Sequence, residues 1–257
     1  MLREYAAMRS HRSRPPTRVR AAASARGVMV PRPRKWHHAS AMEHERQVSC
    51  PQCGAPAPFR GTAVSLVCEH CGSTVVRVGV DLRLLGKVSA VVDDGSPLLL
   101  GSKGSFAGRG FEIVGRLQLR YARGAWSEWY LQFADGVGWL ADFQGNYAVT
   151  TPAPDGPDLP GFYNMSVGTW HEVHGDEYMV VDKRAARYQG AEGVLPFVAE
   201  PGLTFFSLDL AGPDDQFVSL DYGVDPYQKR PDVYVGRAAL LAELGLDRLR
   251  RFEGWRD

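Results

Sequence analysis

Four cysteines constrain this chain more than any other feature. They are its only cysteines, and they fall within positions 50 to 71 as CPQCG (Cys50, Cys53) and CEHCG (Cys68, Cys71). Two Cys-x-x-Cys pairs at this separation match a four-thiolate zinc site. The two residues inside each pair form a tight turn that aims both sulfurs at one ion, and Gly54 and Gly72 free the backbone just beyond. Between the pairs, FRGTAVSLV alternates in the manner of a hairpin turning at Arg60-Gly61. Residues 42–79 are therefore expected to form a zinc ribbon. Four thiolates close the coordination shell, so the zinc is expected to be structural. With no cysteine left for a disulfide framework, a cytoplasmic location is the natural expectation.

The net charge of +1 on 257 residues hides an asymmetry. Residues 1–41 carry nine Arg and one Lys against one Glu, while the remainder carries 20 basic and 28 acidic groups. The acidic body disfavours a nucleic-acid backbone as its main partner. The ribbon itself balances Arg46, Arg60 and Arg77 against Glu43, Glu45 and Glu69, which also makes nucleic-acid binding unlikely. The basic leader, 1–41, lacks apolar periodicity and reads as an unstructured or mis-assigned extension, with Met42 as a second candidate start. No apolar run approaches the ~18 residues that a membrane-spanning helix needs.

Beyond a connector at 80–96, the chain reads as short strands broken by Gly, Asp and Pro: FEIVGRLQLRY, EWYLQFADGVGWL, EYMVVD, LTFFSLDL and QFVSLDY. A shift of 67 residues superposes Gly101, Gly108, Phe111, Ile113, Val114 and Tyr121 on Gly168, Gly175, Tyr178, Val180, Val181 and Tyr188. The fold expected is mainly β: a paired, internally repeated antiparallel module over 97–237, with units at about 97–150 and 164–237. AALLAELGLDRLRRF, within 238–257, reads as a short C-terminal helix weakened by Gly245.

As a strand, AWSEWYLQF splits by parity. Trp129, Leu131 and Phe133 form an apolar stripe for a core; Trp126, Glu128 and Tyr130 form an aromatic-and-acidic face. Across an Asp135-Gly136 turn, Trp139 and Phe143 are expected to join the packed side. The bland alternative pairs Glu128 with Arg116 or Arg120 above a solvated sheet. Glycoside chemistry would need a second carboxylate, with Asp142 or Asp135 as the nominees. His171 and His174, in WHEVHG, lie three apart and so on opposite strand faces, a poor metal pair.

The stretch from Ser96 to Val149 resembles a bacterial family, domain of unknown function 4178. The pattern is carried by Phe111, Ile113, Gly115, Arg116, Trp126, Glu128, Trp129, Asp135, Gly136, Trp139, Leu140, Gly145 and Tyr147, and further on by Gly193, Leu195 and Pro196. The resemblance covers about 97–237 and implies a β-rich module that often follows a zinc ribbon, with no catalytic residues to carry over. The leading expectation is a non-enzymatic adaptor or accessory protein that presents Trp126, Glu128 and Tyr130 to a protein partner. The alternative is a small-molecule or glycan binder, or a hydrolase, centred on Glu128.

Overall fold

The alternating runs become strands. The computed structural model describes residues 46–60, 63–78, 81–87, 91–154 and 158–253; the leader 1–41 and Met42 lie outside them. In chain order the strands are β1 (Arg46–Ser49), β2 (Pro56–Phe59), β3 (Ser65–Val67), β4 (Ser73–Val78), β5 (Asp81–Lys87), β6 (Lys103–Phe106), β7 (Arg109–Tyr121) and β8 (Gly124–Phe133). They continue with β9 (Gly136–Phe143), β10 (Asn146–Pro152), β11 (Trp170–Val173), β12 (Asp176–Leu195), β13 (Thr204–Ala211), β14 (Gln216–Gly223) and β15 (Asp232–Ala239). β5 falls within the segment read as a connector.

Two four-stranded meanders, β7-β8-β9-β10 and β12-β13-β14-β15, meet along two antiparallel seams. β10 pairs with β15, and β7 pairs with β12, so the eight strands close into a ring. Closure removes the exposed edges that an open sheet would leave. At the first seam Gly115 lies opposite Gly193, and a Cβ on Gly115 would sit 1.9 Å from the Val194 carbonyl oxygen. At the second, a Cβ on Gly236 would sit 1.8 Å from the Val149 carbonyl oxygen. Glycine is required where the two backbones approach this closely. The far end of β12 also pairs with β3, which joins β3, β4 and β5 to the main sheet; β1 and β2 form a separate pair.

Positions 67 apart occupy matching places. Ala107 and Gly108 turn the β6–β7 hairpin with φ of 49° and 76°; His174 and Gly175 turn β11–β12 with 53° and 93°. Gly101 N–H donates to the Ile113 carbonyl, and Gly168 N–H donates to the Val180 carbonyl. Ile113 N–H returns to Ser102, as Val180 N–H returns to Thr169. The β8–β9 hairpin turns at Ala134 and Asp135, one residue before the Asp-Gly pair expected at its centre, and neither has positive φ.

Each meander buries its outer face under a strap of irregular chain. Ile113, Trp129, Leu131, Phe133, Leu140 and Val149 pack beneath Leu98 and the C-terminal Leu244, Leu246 and Leu249. Val180, Leu208, Leu210, Val218 and Leu220 pack beneath Leu159, Phe162 and Met165. The expected C-terminal helix is corrected: no α-helix occurs among the described residues. Ala238 and Ala239 are drawn into β15 opposite Ala148 and Tyr147, Leu241–Leu244 make one 3₁₀ turn, and Gly245 ends it at φ 53°. Burying Leu244 contributes roughly 1.5–3 kcal/mol, more than the helix propensity of so short a segment offers. Arg250 fastens the strap through a two-bond ion pair to Asp93 at 2.6 and 2.7 Å. No helix among the described residues is long and apolar enough to cross a membrane.

Candidate functional site

Packing both outer faces under straps leaves the inside of the ring as a lumen. All eight of its strands contribute to the wall, from Leu117 on β7 round to Tyr234 on β15. The inward positions mix rings with small side chains: Ala141, Ala148, Ser207, Ala211 and Ser219 stand beside Trp126, Trp139, Phe143, Phe205 and Phe217. An eight-stranded barrel is just wide enough to be filled by large side chains or to hold one small ligand. Here the small residues leave a cavity of about 120 Å³, against the ~10–15 Å³ that a single water needs on the same measure.

Four acids line this apolar space, and one of them, Asp182 on β12, is paired with Arg184. Glu128 comes from β8, Asp209 from β13 and Asp221 from β14. On the adjoining strands β13 and β14, Asp209 lies opposite Ser219 and Asp221 opposite Ser207. Glu128 Oε1 accepts a 2.7 Å hydrogen bond from the Trp126 indole Nε1–H. The side chain is half-buried, bordering lumen space and otherwise surrounded by the barrel wall. That desolvation pushes its pKa up to about 8; the indole hydrogen bond opposes the shift, and the negative charges of Asp209, Asp221 and Asp142 add to it. Asp209 is raised to about 7 by burial and by Asp182, against Ser219 and Arg184. Burial also raises Asp221 to about 7, against the Gly223 N–H and with the help of Asp232. Tyr234, buried among Asp221 and Asp232, holds its proton well above its ordinary range.

One cation already shares the space. Arg184 pairs with Asp182, and its guanidinium lies 4.0 Å from the Tyr121 ring centroid, 5.8 Å from Trp126 and 5.7 Å from Phe143. This end of the barrel packs against the cysteine hairpins, whose Cys50, Phe59, Leu66 and Cys68 share a core cluster with Leu117, Leu119, Trp126 and Tyr130.

The parity split of β8 was legible, and Trp129, Leu131 and Phe133 pack in a core as expected, but the other face is enclosed as well. Trp126, Glu128 and Tyr130 do not form an outward platform: Trp126 is 9% exposed and Tyr130 2%, and Trp126 and Glu128 line the lumen. Trp139 and Phe143 join them there, because β9 pairs Trp139 with Tyr130 and Ala141 with Glu128. Leu140 is the residue that packs with Trp129. Arg116, nominated as a partner for Glu128, instead bonds Asp94 at 2.7 Å and Ser127 at 3.1 Å and stacks over Trp129 at 4.6 Å. Asp135 pairs with Arg109 at the hairpin turn, and Asp142 accepts from Ser96 outside the lumen. Asp209 and Asp221 escaped the sequence reading. Their signal is the tripeptide Ser-Leu-Asp at 207–209 and again at 219–221, which puts an acid on the inward parity of two otherwise apolar strands.

The four cysteines converge as their spacing implied. Cys50 and Cys71 sulfurs lie 3.8 Å apart, Cys53 and Cys68 3.7 Å, and all four fall within 4.8 Å of one another. A tetrahedral ion with ~2.3 Å metal–sulfur bonds requires sulfur–sulfur edges of about 3.8 Å. The two turns are copies: Gly54 N–H reaches Cys50 O and Cys50 N–H reaches Ala55 O, just as Gly72 N–H reaches Cys68 O and Cys68 N–H reaches Ser73 O. The donors fit a metal ion, and the cluster is consistent with a zinc ribbon. His171 lies beside Thr169 and His174 occupies a turn, so the two do not converge.

Residues 99–240, more than half of the chain, match the family described as Domain of unknown function (DUF4178). The chain belongs to that family. No curated protein and no solved structure gave a significant match. In this DUF4178 protein the motif residues fall into two sets. Gly115, Arg116 and Trp129 build the seam and the outer core, whereas Trp126, Glu128 and Trp139 face the lumen.

Proposed function

We propose that this DUF4178 protein is a small-molecule-binding barrel, built from two repeated halves and centred on Glu128, with a structural zinc ribbon bracing one end. One observation carries the reading: apart from Leu117, Leu119 and Val181, the ring's inward positions are mostly small, aromatic or polar and surround four carboxyls, whereas a barrel filled for stability alone would be packed with branched aliphatic side chains. Zinc at Cys50, Cys53, Cys68 and Cys71 is a stabilising element remote from any chemistry, because four thiolates leave no position for a substrate. A fragment screen observed through the indole N–H resonances of Trp126 and Trp139 tests the lumen. Binders are expected to move both signals, and Glu128→Gln is expected to weaken them with the fold retained. Binders that perturb only outer residues would overturn the reading.

A second reading, an accessory protein that docks a partner, draws support from one surface feature. The Tyr163 and Tyr227 rings lie 5.4 Å apart, tilted by 48°, while remaining 54% and 74% exposed. Double replacement by Ser would abolish such docking and leave lumen binding unchanged.

A further inference from the structure

We propose that the lumen takes an organic ammonium cation, seated against the Trp126 and Trp139 rings with its charge toward Glu128, Asp209 and Asp221. The inference rests on the lumen being a binding site and adds the chemical class of its ligand.

Charge balance points to a cation. Four carboxyls line the wall, Glu128, Asp182, Asp209 and Asp221, against one guanidinium, Arg184, which is already held by Asp182. Among the described residues no ion pair reaches Glu128, Asp209 or Asp221. Glu128 Oε1 has its bond from Trp126, no hydrogen bond to Oε2 occurs among the described residues, and Glu128 borders the cavity. A buried carboxyl in that state gains from a counter-charge brought in from solution.

Ring geometry points the same way. Trp126, Trp139, Phe205, Phe217 and Tyr234 turn aromatic surface on the space beside these acids, and aromatic ring faces attract cations. Arg184, resting over Tyr121 with Trp126 and Phe143 nearby, shows that rings in this wall already accept one organic cation. An anionic ligand would meet four carboxyls, and of the three classes only a cation would favour their ionised forms.

Three probes of nearly one shape separate the possibilities: choline, its uncharged isostere dimethylbutanol, and the anion dimethylbutanoate. Each is titrated into the zinc-loaded, full-length protein, with affinity and the Trp126 indole resonance as readouts. Choline is expected to bind about tenfold or more tightly than the alcohol and to shift the Trp126 signal. Glu128→Gln, which keeps the size and an acceptor for Trp126, is expected to bring choline down toward the alcohol's affinity; Asp221→Asn serves as a second variant should the first fold poorly. Alcohol or carboxylate binding as tightly as choline, with the same Trp126 shift, overturns the cation assignment and leaves the lumen standing as a site. If none of the three moves Trp126, the lumen reading itself falls.

Discussion

At the scale of single residues, the lumen acids should set how stability responds to pH. Glu128 is raised from an ordinary 4.5 to about 8, and Asp209 and Asp221 from 3.8 to about 7. Between those limits the folded protein keeps protons that the unfolded chain has released. Stability is therefore greatest near the acid end of this window, falls as pH rises through the folded values, and levels off above them. The slope is at most about 1.4 kcal/mol per pH unit for each group. Asp182 and Arg184 line the same space, and Asp142, buried outside it, is likewise held above the usual carboxylate range by desolvation. Asp93 and Asp135, held low by Arg250 and Arg109, lose their contributions only in more acidic solution. The thermal midpoint is expected to be lower at pH 8 than at pH 5, and Glu128→Gln should narrow the gap. A midpoint that climbs across this range would contradict the burial of these acids. Their individual positions were partly legible in the sequence. Glu128 stood out between its aromatic neighbours, but an acid at inward parity in LTFFSLDL looks like an acid at outward parity until the strand's partners are known.

At the scale of elements, the seams and the metal carry separate burdens. Gly115 lies where β7 meets β12, and a methyl group there has nowhere to go but into the Val194 carbonyl. Gly115→Ala is expected to cost about 2–4 kcal/mol in chemical denaturation while metal content stays at one ion per chain; a neutral effect would mean that the strands do not cross so closely. Removing the metal acts elsewhere. Structural zinc is worth on the order of 10 kcal/mol to a ribbon, so chelation should expose the amides of β1 to β4 to hydrogen exchange. Because β3 pairs with β12 and Leu66 packs near Trp126, the indole emission should shift as well. Exchange confined to the hairpins with unchanged emission would show that the ribbon does not brace the barrel. The sequence announced the cysteine turns because metal geometry is local. It misannounced the C-terminal helix because Leu244, Leu246 and Leu249 answer to a distant sheet face rather than to their own spacing.

At the scale of the whole molecule, closure explains both the legibility and the misreading. Periodicity sorted the residues of each strand into two faces, but in a ring covered by straps both faces are buried. The apolar stripe of Trp129, Leu131 and Phe133 went outward beneath a strap, and the mixed face of Trp126 and Glu128 went inward. No pattern within one strand decides between these, since the straps come from 96–102, 159–165 and 241–249, far away in sequence. Ring closure also ties the halves together: β7 needs β12 and β10 needs β15. Amides of both meanders should therefore exchange in one cooperative step, and two separated unfolding steps would mean that the halves stand alone. The most direct test of the account is the titration of the Glu128 carboxyl carbon by NMR, assigned by its loss in Glu128→Gln. A midpoint of about 8 is predicted for an acid enclosed in the barrel; a midpoint at the ordinary 4.5 would place Glu128 in open water and contradict it.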